Sequence, residues 1–155
     1  MNHHSRPYLK QDLHRYQFAA VFALSQGRFP RMPDFEAYGE DLLPDYESAG
    51  TEYFADRFQV QLPDQPATTV TCRIAKDGHY FIHYDPVQMR SLTVREAVRI
   101  QTFPDNYLFR GSRAGQYRQV GNAVPPYLAF QLAKVVAAAM GARGLRPSCL
   151  TTESR

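Results

Sequence analysis

RSLTVREAVRIQTFPDNYLFRGSRAGQYRQVGNAVPPYL, residues 90–128, decides how the rest of the chain is read. It carries two helix starts with a basic loop between them. At the first, Thr93 precedes a helical pattern and Glu96 follows three residues later. In such a capping box the Thr93 hydroxyl accepts from the backbone N–H of residue 96, and the Glu96 carboxylate accepts from the N–H of residue 93. Pro104 closes this helix within about three turns, because proline cannot continue the hydrogen-bond ladder. At the second start, Gly121 and Asn122 read as a turn. Pro125 and Pro126 stand where a new helix begins, and there a missing N–H loses no partner. Gly121 allows close backbone approach, and Asn122 brings a donor and an acceptor to the lip of the helix. Helix N-termini attract anions. From the residues alone, ligand contact and a plain turn into a helix both remain open.

Between the two starts, residues 105–118 read as a loop in which Arg110, Arg113 and Arg118 alternate with Tyr107, Phe109 and Tyr117. Such a loop can hold a phosphate backbone or pack with its arginines solvated. Downstream, residues 127–140 form a last helix with Leu128, Leu132, Val135, Val136 and Ala139 on one apolar face, and Gly141 ends it. Residues 142–155 show no periodicity and read as a frayed tail.

Upstream, residues 11–26 read as a helix that Asp12 can cap and Gly27 stops. Leu13, Tyr16, Ala20 and Leu24 recur at helical spacing beside Phe18, Val21 and Phe22, a face wide enough to be core. Ahead of it, His3, His4, Ser5, Arg6 and Lys10 make a polar, basic arm. Residues 28–56 are broken by Pro30, Pro33, Gly39, Pro44 and Gly50 and read as loop with one helical turn around Phe35–Tyr38. RFQVQL (57–62) alternates as a half-buried strand does. ATTVTCRIA (67–75) alternates again, Asp77-Gly78 is a hairpin dipeptide, and HYFIHY (79–84) is the return strand. This β-hairpin places Arg73 and Lys76 near one end and turns Cys72 inward as a buried thiol. His79 and His83 become strand-surface histidines. With Cys72 they could imitate a metal site, but zinc wants about four ligands and no fourth candidate is present, so no metal is expected.

The 155 residues amount to one domain or part of a larger one, and an apolar fraction of 44% suffices for a core. No run of 18 apolar residues exists to span a membrane, and MNHHSRPYLKQDL has no apolar signal region. Two cysteines build no disulfide framework, which fits a reducing cytoplasm. Charge is unevenly laid out. Residues 1–33 carry five Lys/Arg against one acid, 34–56 carry eight acids and no Lys/Arg, and 57–155 carry thirteen basic residues against six acidic. A basic surface interrupted by one acidic segment suits a polyanion, although an ordinary solvated surface has the same composition.

SLTVREAVRIQTFPDNYLFRGS (91–112) followed by QYRQVGNAVPPYLAFQLA (116–133) resembles the ninth and tenth sequence motifs of bacterial DNA (cytosine-5) methyltransferases. NHHSRPYLKQDLHRYQFAA, DRFQVQ and TTVTCRIAKDGHYFIHYDP resemble the target-recognition region that precedes the ninth motif in one bacterial branch. The resemblance covers nearly residues 2–140. It implies an α+β fold: a small recognition domain with a β-hairpin and flanking helices, and a C-terminal helix packing on a separate α/β domain that binds S-adenosyl-L-methionine. It divides the chain into a target-recognition region (1–89), the two motifs (90–140) and a flexible tail (141–155). Thr93, Arg95, Glu96 and Arg99 of the ninth motif are implied to be structural. Gly121, Asn122, Ala123 and Val124 of the tenth are implied to form part of the S-adenosylmethionine pocket. Arg6, Lys10, Arg73 and Lys76 are the candidate contacts to double-stranded DNA.

Such enzymes flip a cytosine out of the duplex, attack its C6 with the cysteine of a Pro-Cys pair, and methylate C5. Here Thr71 precedes Cys72 and Ser148 precedes Cys149, so neither cysteine follows a proline. The glycine-rich cofactor loop, the Glu-Asn-Val triplet and the Gln-Arg-Arg-type segment are also absent from these residues. The resemblance therefore implies a C-terminal segment or subunit, inactive alone, that works with a catalytic N-terminal part in a bacterial cytoplasm, at the nucleoid. The alternative is a non-catalytic DNA-binding or interaction remnant. With the large domain missing, the apolar face of the last helix is expected to fold back onto the chain's own core or to self-associate.

Overall fold

The computed structural model describes residues 2–43 and 56–141. The expectations for residues 44–55 and for the tail beyond 141, including Cys149, lie outside the described residues.

Helix α1 (Lys10–Gln26) ends where Gly27 takes a left-handed conformation at φ 67° and donates its N–H to Ala23. Its N-cap is Leu9; Asp12 lies in the first turn and pairs with Arg15 at 3.2 Å. The buried stripe is Tyr16, Ala19, Ala20 and Ala23, while Val21 and Leu24 stay exposed. The core face is thus rotated toward the small residues, which let α1 lie close against its neighbours. Helix α2 (Met32–Tyr38) follows and buries Met32 and Phe35.

The β structure is smaller than its sequence suggests. Strand β1 (Val60–Gln61) pairs in parallel with β2 (Ile82–His83), Val60 facing Ile82 and Gln61 facing His83. The expected hairpin is not formed. Cys72–Ala75 and His79–Phe81 are 3-10 turns, and Gly78 between them takes φ 83°. The Asp77 carboxylate accepts from the His79 N–H at 3.1 Å, so the dipeptide turns the chain into a second short helix instead of a return strand. Cys72 is exposed, the reverse of its expected burial. His79 is buried, its Nδ1 lying 2.8 Å from the Tyr16 hydroxyl.

Helix α3 (Val94–Ile100) begins on the capping box: the Glu96 N–H donates to Thr93 Oγ1 and the Thr93 N–H to Glu96 Oε2. It ends at Ile100, before Pro104 is reached. Helix α4 (Arg113–Asn122) occupies what reads in the sequence as the end of a basic loop. Ser112 caps it by accepting from the Gly115 N–H at 3.2 Å. Helix α5 (Pro126–Ala139) starts on its prolines as expected.

Two apolar clusters make the core. One gathers Val70, Ile74, Phe81, Val98, Tyr117 and Val120; the other gathers Tyr16, Ala23, Phe35, Phe58, Val60 and Ile82. Consecutive residues Phe81 and Ile82 enter different clusters where the 3-10 turn passes into strand β2. The N-terminal arm straps the assembly together. Asn2 Nδ2 donates to Gln116 Oε1 at 2.8 Å, the Arg95 N–H donates to the Asn2 carbonyl, and Arg113 Nη1 donates to the Ser5 carbonyl. Tyr8 bonds Ser91 through its hydroxyl. No residue of α5 is buried.

Candidate functional site

The tenth-motif segment leaves α4 under tight backbone constraint. A Cβ at Gly121 would lie 2.4 Å from the Thr71 carbonyl oxygen and 2.6 Å from the Cys72 nitrogen. Both are backbone atoms, so only glycine lets α4 pack onto the 3-10 turn at 72–75. Gly121 and Ala123 are half-buried, whereas Asn122 and Val124 are exposed. The segment therefore presents an amide and an apolar side chain outward from a fixed backbone.

Asn122 is the last residue of α4, not the entry to a helix. The expectation of an anion-attracting helix start at this residue is corrected accordingly. The N-terminus of α5 offers little to an anion either: Pro125 and Pro126 have no N–H, and the Tyr127 N–H donates to Thr102 Oγ1 at 3.0 Å. Gln101 is the residue that sequence reasoning missed. It is buried, and its Nε2 lies 3.1 Å from the Val120 carbonyl and 3.4 Å from that of Ala123. The Val120 carbonyl at the end of α4 also accepts from the Ala123 N–H at 3.2 Å, so Gln101 adds a second donor to the turn that closes the helix. A polar residue right after a capped apolar run was the available signal.

The ninth-motif residues hold the frame. Arg90 forks onto Glu96 with both contacts at 2.7 Å. Burial pushes the Glu96 carboxyl up, but Arg90 and Thr93 together outweigh it and hold it at about 2. Arg95 is buried and donates to the Tyr107 carbonyl at 3.0 Å. Arg99 forks onto Asp105 at the surface, at 2.7 and 2.9 Å. The Tyr117 hydroxyl donates to the Leu92 carbonyl at 2.7 Å, tying α4 to the start of α3.

The candidate DNA contacts separate. Arg73 and Lys76 are exposed and line one cleft of about 340 Å³ with Arg57, Asp77 and Tyr80. Arg73 lies over the Tyr80 ring, and Arg57 meets Asp77 at 2.7 Å. Three cations against one carboxylate beside an aromatic ring can receive a phosphate. Arg57 belongs to this group although its sequence position on an apparent strand did not mark it. Lys10 is exposed but lies outside the cleft. Arg6 is half-buried, donates to the carbonyls of Ile74 and Lys76, and stacks over Tyr117 at 4.3 Å. Among the described residues no three His, Cys, Asp or Glu side chains converge into a metal-binding group, and no helix is long and apolar enough to cross a membrane.

The family's sequence profile, C-5 cytosine-specific DNA methylase, matches residues 13–138, and the chain belongs to that family. Members of the family in general use S-adenosylmethionine. The chain is 47% identical over 137 residues to the type II methyltransferase M.Bpa9945I of Bacillus paralicheniformis, covering 87% of this chain and 29% of that protein. It is 40% identical over 94 residues to M.AgeI of Thalassovita gelatinovora, covering 61% of this chain and 21% of the relative. It is 47% identical over 73 residues to M.Eco47II of Escherichia coli, covering 47% and 17%. The chain thus spans less than a third of the length of these curated relatives.

Proposed function

We propose that this chain is the C-terminal, DNA-reading and pocket-closing part of a cytosine-5 DNA methyltransferase. In this reading residues 1–89 serve target recognition and residues 90–140 return the chain to a catalytic part. One observation carries the reading: the rigidly held 121–124 segment faces outward and is followed at once by a helix whose large apolar side chains are all exposed. Leu128, Leu132 and Val136 are 49%, 54% and 55% exposed. Such a surface is complementary to another protein layer. That it neither folds back nor meets its own core favours the catalytic part as its cover.

The residues present fit one wall of an S-adenosylmethionine site. Gly121 fixes the backbone, the Asn122 amide can donate and accept, and Val124 supplies apolar contact. Bound there, S-adenosylmethionine supplies the methyl group. The nucleophilic cysteine belongs to the catalytic part, since neither cysteine of these 155 residues follows a proline. In this reading Arg73, Lys76 and Arg57, which share one cleft, hold the phosphate backbone, with Lys10 a further candidate and Arg6 acting through the fold. The protein works in the bacterial cytoplasm at the nucleoid.

The test combines this chain with a polypeptide carrying the missing motifs and follows methyl transfer from labelled S-adenosylmethionine to duplex DNA. Transfer is expected only when both parts are present; transfer with this chain omitted refutes the proposal. Asn122→Ala is expected to raise the KM for S-adenosylmethionine roughly fivefold or more, the loss of one hydrogen bond. The double variant Leu132→Glu/Val136→Glu is expected to abolish co-elution with the catalytic part while leaving the melting temperature of this chain unchanged, because α5 buries nothing in the body. Salt-dependent DNA binding together with no methyl transfer in any combination supports the remnant reading instead.

A further inference from the structure

We infer that Gln101 and Thr102 form a two-point clamp that positions the 121–126 segment; its consequence for the cofactor rests on the function proposed above. Helix α3 closes with the Thr102 N–H donating to Arg99 at 2.9 Å and the Phe103 N–H donating to Val98 at 3.1 Å. This closure needs a left-handed residue at position 102, ordinarily glycine. Thr102 fills it at φ 61°, a strained choice for a β-branched side chain. What threonine has and glycine lacks is Oγ1. That oxygen accepts from the Tyr127 N–H at 3.0 Å. Pro125 is the N-cap of α5 and makes no side-chain cap bond, and Pro126 has no N–H to be capped. Thr102 therefore does for α5, from 25 residues away, what an N-cap residue does locally.

One residue earlier, the buried Gln101 amide reaches the near end. Its Nε2 lies within 3.5 Å of the carbonyls of Val70, Val120 and Ala123. The carbonyls of Val120 and Ala123 bracket Gly121 and Asn122. Val70 precedes Thr71, whose carbonyl presses on Gly121. Surrounded by acceptors, the amide is held with its nitrogen inward. Two consecutive side chains at the end of α3 thus fix both ends of the segment whose middle faces outward. Gln101 is buried and the Thr102 hydroxyl is engaged by the Tyr127 N–H, so both are positioning residues and not ligands.

The experiment has two readouts. In the first, amide hydrogen exchange is followed in this chain without cofactor. The Ala123 N–H donates to the same Val120 carbonyl that Gln101 holds, so Gln101→Leu is expected to speed exchange at Ala123 by freeing that carbonyl; Thr102→Val is expected to speed exchange at Tyr127 roughly fivefold, the loss of one ordinary hydrogen bond. Thr102→Ser is expected to restore wild-type exchange. Thr102→Gly relieves the left-handed strain while removing the exposed side chain with its hydroxyl, so it folds and is expected to exchange quickly at Tyr127. Unchanged exchange at both amides overturns the clamp. In the second, the variants are assembled with the catalytic part and assayed for methyl transfer. The KM for S-adenosylmethionine is expected to rise about fivefold with kcat nearly unchanged, and Thr102→Ser to rescue it. A flat KM in the clamp variants with a raised KM in Asn122→Ala overturns the inference and leaves the proposed function standing. A flat KM in all of them removes the proposed cofactor wall as well.

Discussion

Gly121→Ala sets two physical effects against each other at one position. Within a helix, alanine is favoured over glycine by at most about 1 kcal/mol. Against that stands the backbone of Thr71 and Cys72. The new Cβ would lie 2.4 Å from the Thr71 oxygen, 2.5 Å from its carbonyl carbon and 2.6 Å from the Cys72 nitrogen, where ordinary contact begins at 3.4 Å. The two elements must separate by about 1 Å, and neither neighbour is the movable end of a side chain. Overpacking of this kind costs about 1–3 kcal/mol, and separating α4 from the turn also loosens Val120 and Tyr117 in the core. The clash wins, with a net destabilisation of about 1–2 kcal/mol and a fall in melting temperature of roughly 2–8 °C. Gly115→Ala in the same helix is the control. Its Cβ would meet only the Ser112 hydroxyl oxygen, at 3.2 Å. There the propensity gain is nearly unopposed, and the expected change is neutral or slightly stabilising. Thermal unfolding of the three proteins by circular dichroism decides the matter. A Gly121→Ala protein that melts with the wild type, or a Gly115→Ala protein that falls as far, refutes the packing argument.

Two other outcomes follow from the charges. The Glu96 carboxyl is held at about 2 in the folded chain, below its ordinary range, so its contribution is present above the ordinary carboxylate range and lost as pH falls toward 2. Glu96→Gln is therefore expected to lower stability by up to about 3 kcal/mol at pH 7, with the gap to wild type narrowing between about pH 4.5 and pH 2, read from urea midpoints at each pH; a gap independent of pH contradicts the ion-pair account. Arg73→Ala/Lys76→Ala is expected to weaken binding to duplex DNA of any sequence and to reduce the salt slope by about one to two. Unaltered binding across a salt series removes the cleft from the DNA interface.

The parts that were legible in the sequence are those whose partners lie within a few residues. The Thr93–Glu96 box, the Gly27 stop and the prolines of α5 each complete their hydrogen bonding locally. The hairpin misread has a tertiary cause. Val70 and Ile74 are both buried, and a spacing of four suits a helical turn as well as an alternating strand. Which one forms is decided by α4 lying against the 72–75 turn through Gly121, a contact about fifty residues away in sequence. Asp77-Gly78 supplied the positive φ that its composition promises, but the Asp77 carboxylate capped the next turn instead of closing a hairpin. Helix α4 was hidden because two glycines and two arginines diluted its apolar signal to Tyr117 and Val120. In the candidate site, Gly121 and Asn122 stood out as a turn and gained a ligand through the family resemblance, whereas Gln101 and Thr102 did not stand out. Their roles exist only once the ends of α3, α4 and α5 have been brought together.

The N-terminal strap also bears on how this chain reaches its fold. Asn2 bonds to Gln116 across 114 residues, Arg113 to Ser5 across 108, and His3 lies 3.0 Å from Thr93 across 90. No such contact stabilises anything until nearly the whole length has been ordered, and the entropy of closing the loop precedes its return. The local helices can nucleate early, and the strap closes late. Mean sequence separation governs folding speed in small domains, so a few polar residues at the front of the chain raise the kinetic barrier of the whole. The same contacts tie residues 2–5 to α3 and α4, so that neither part of the chain is complete until both are.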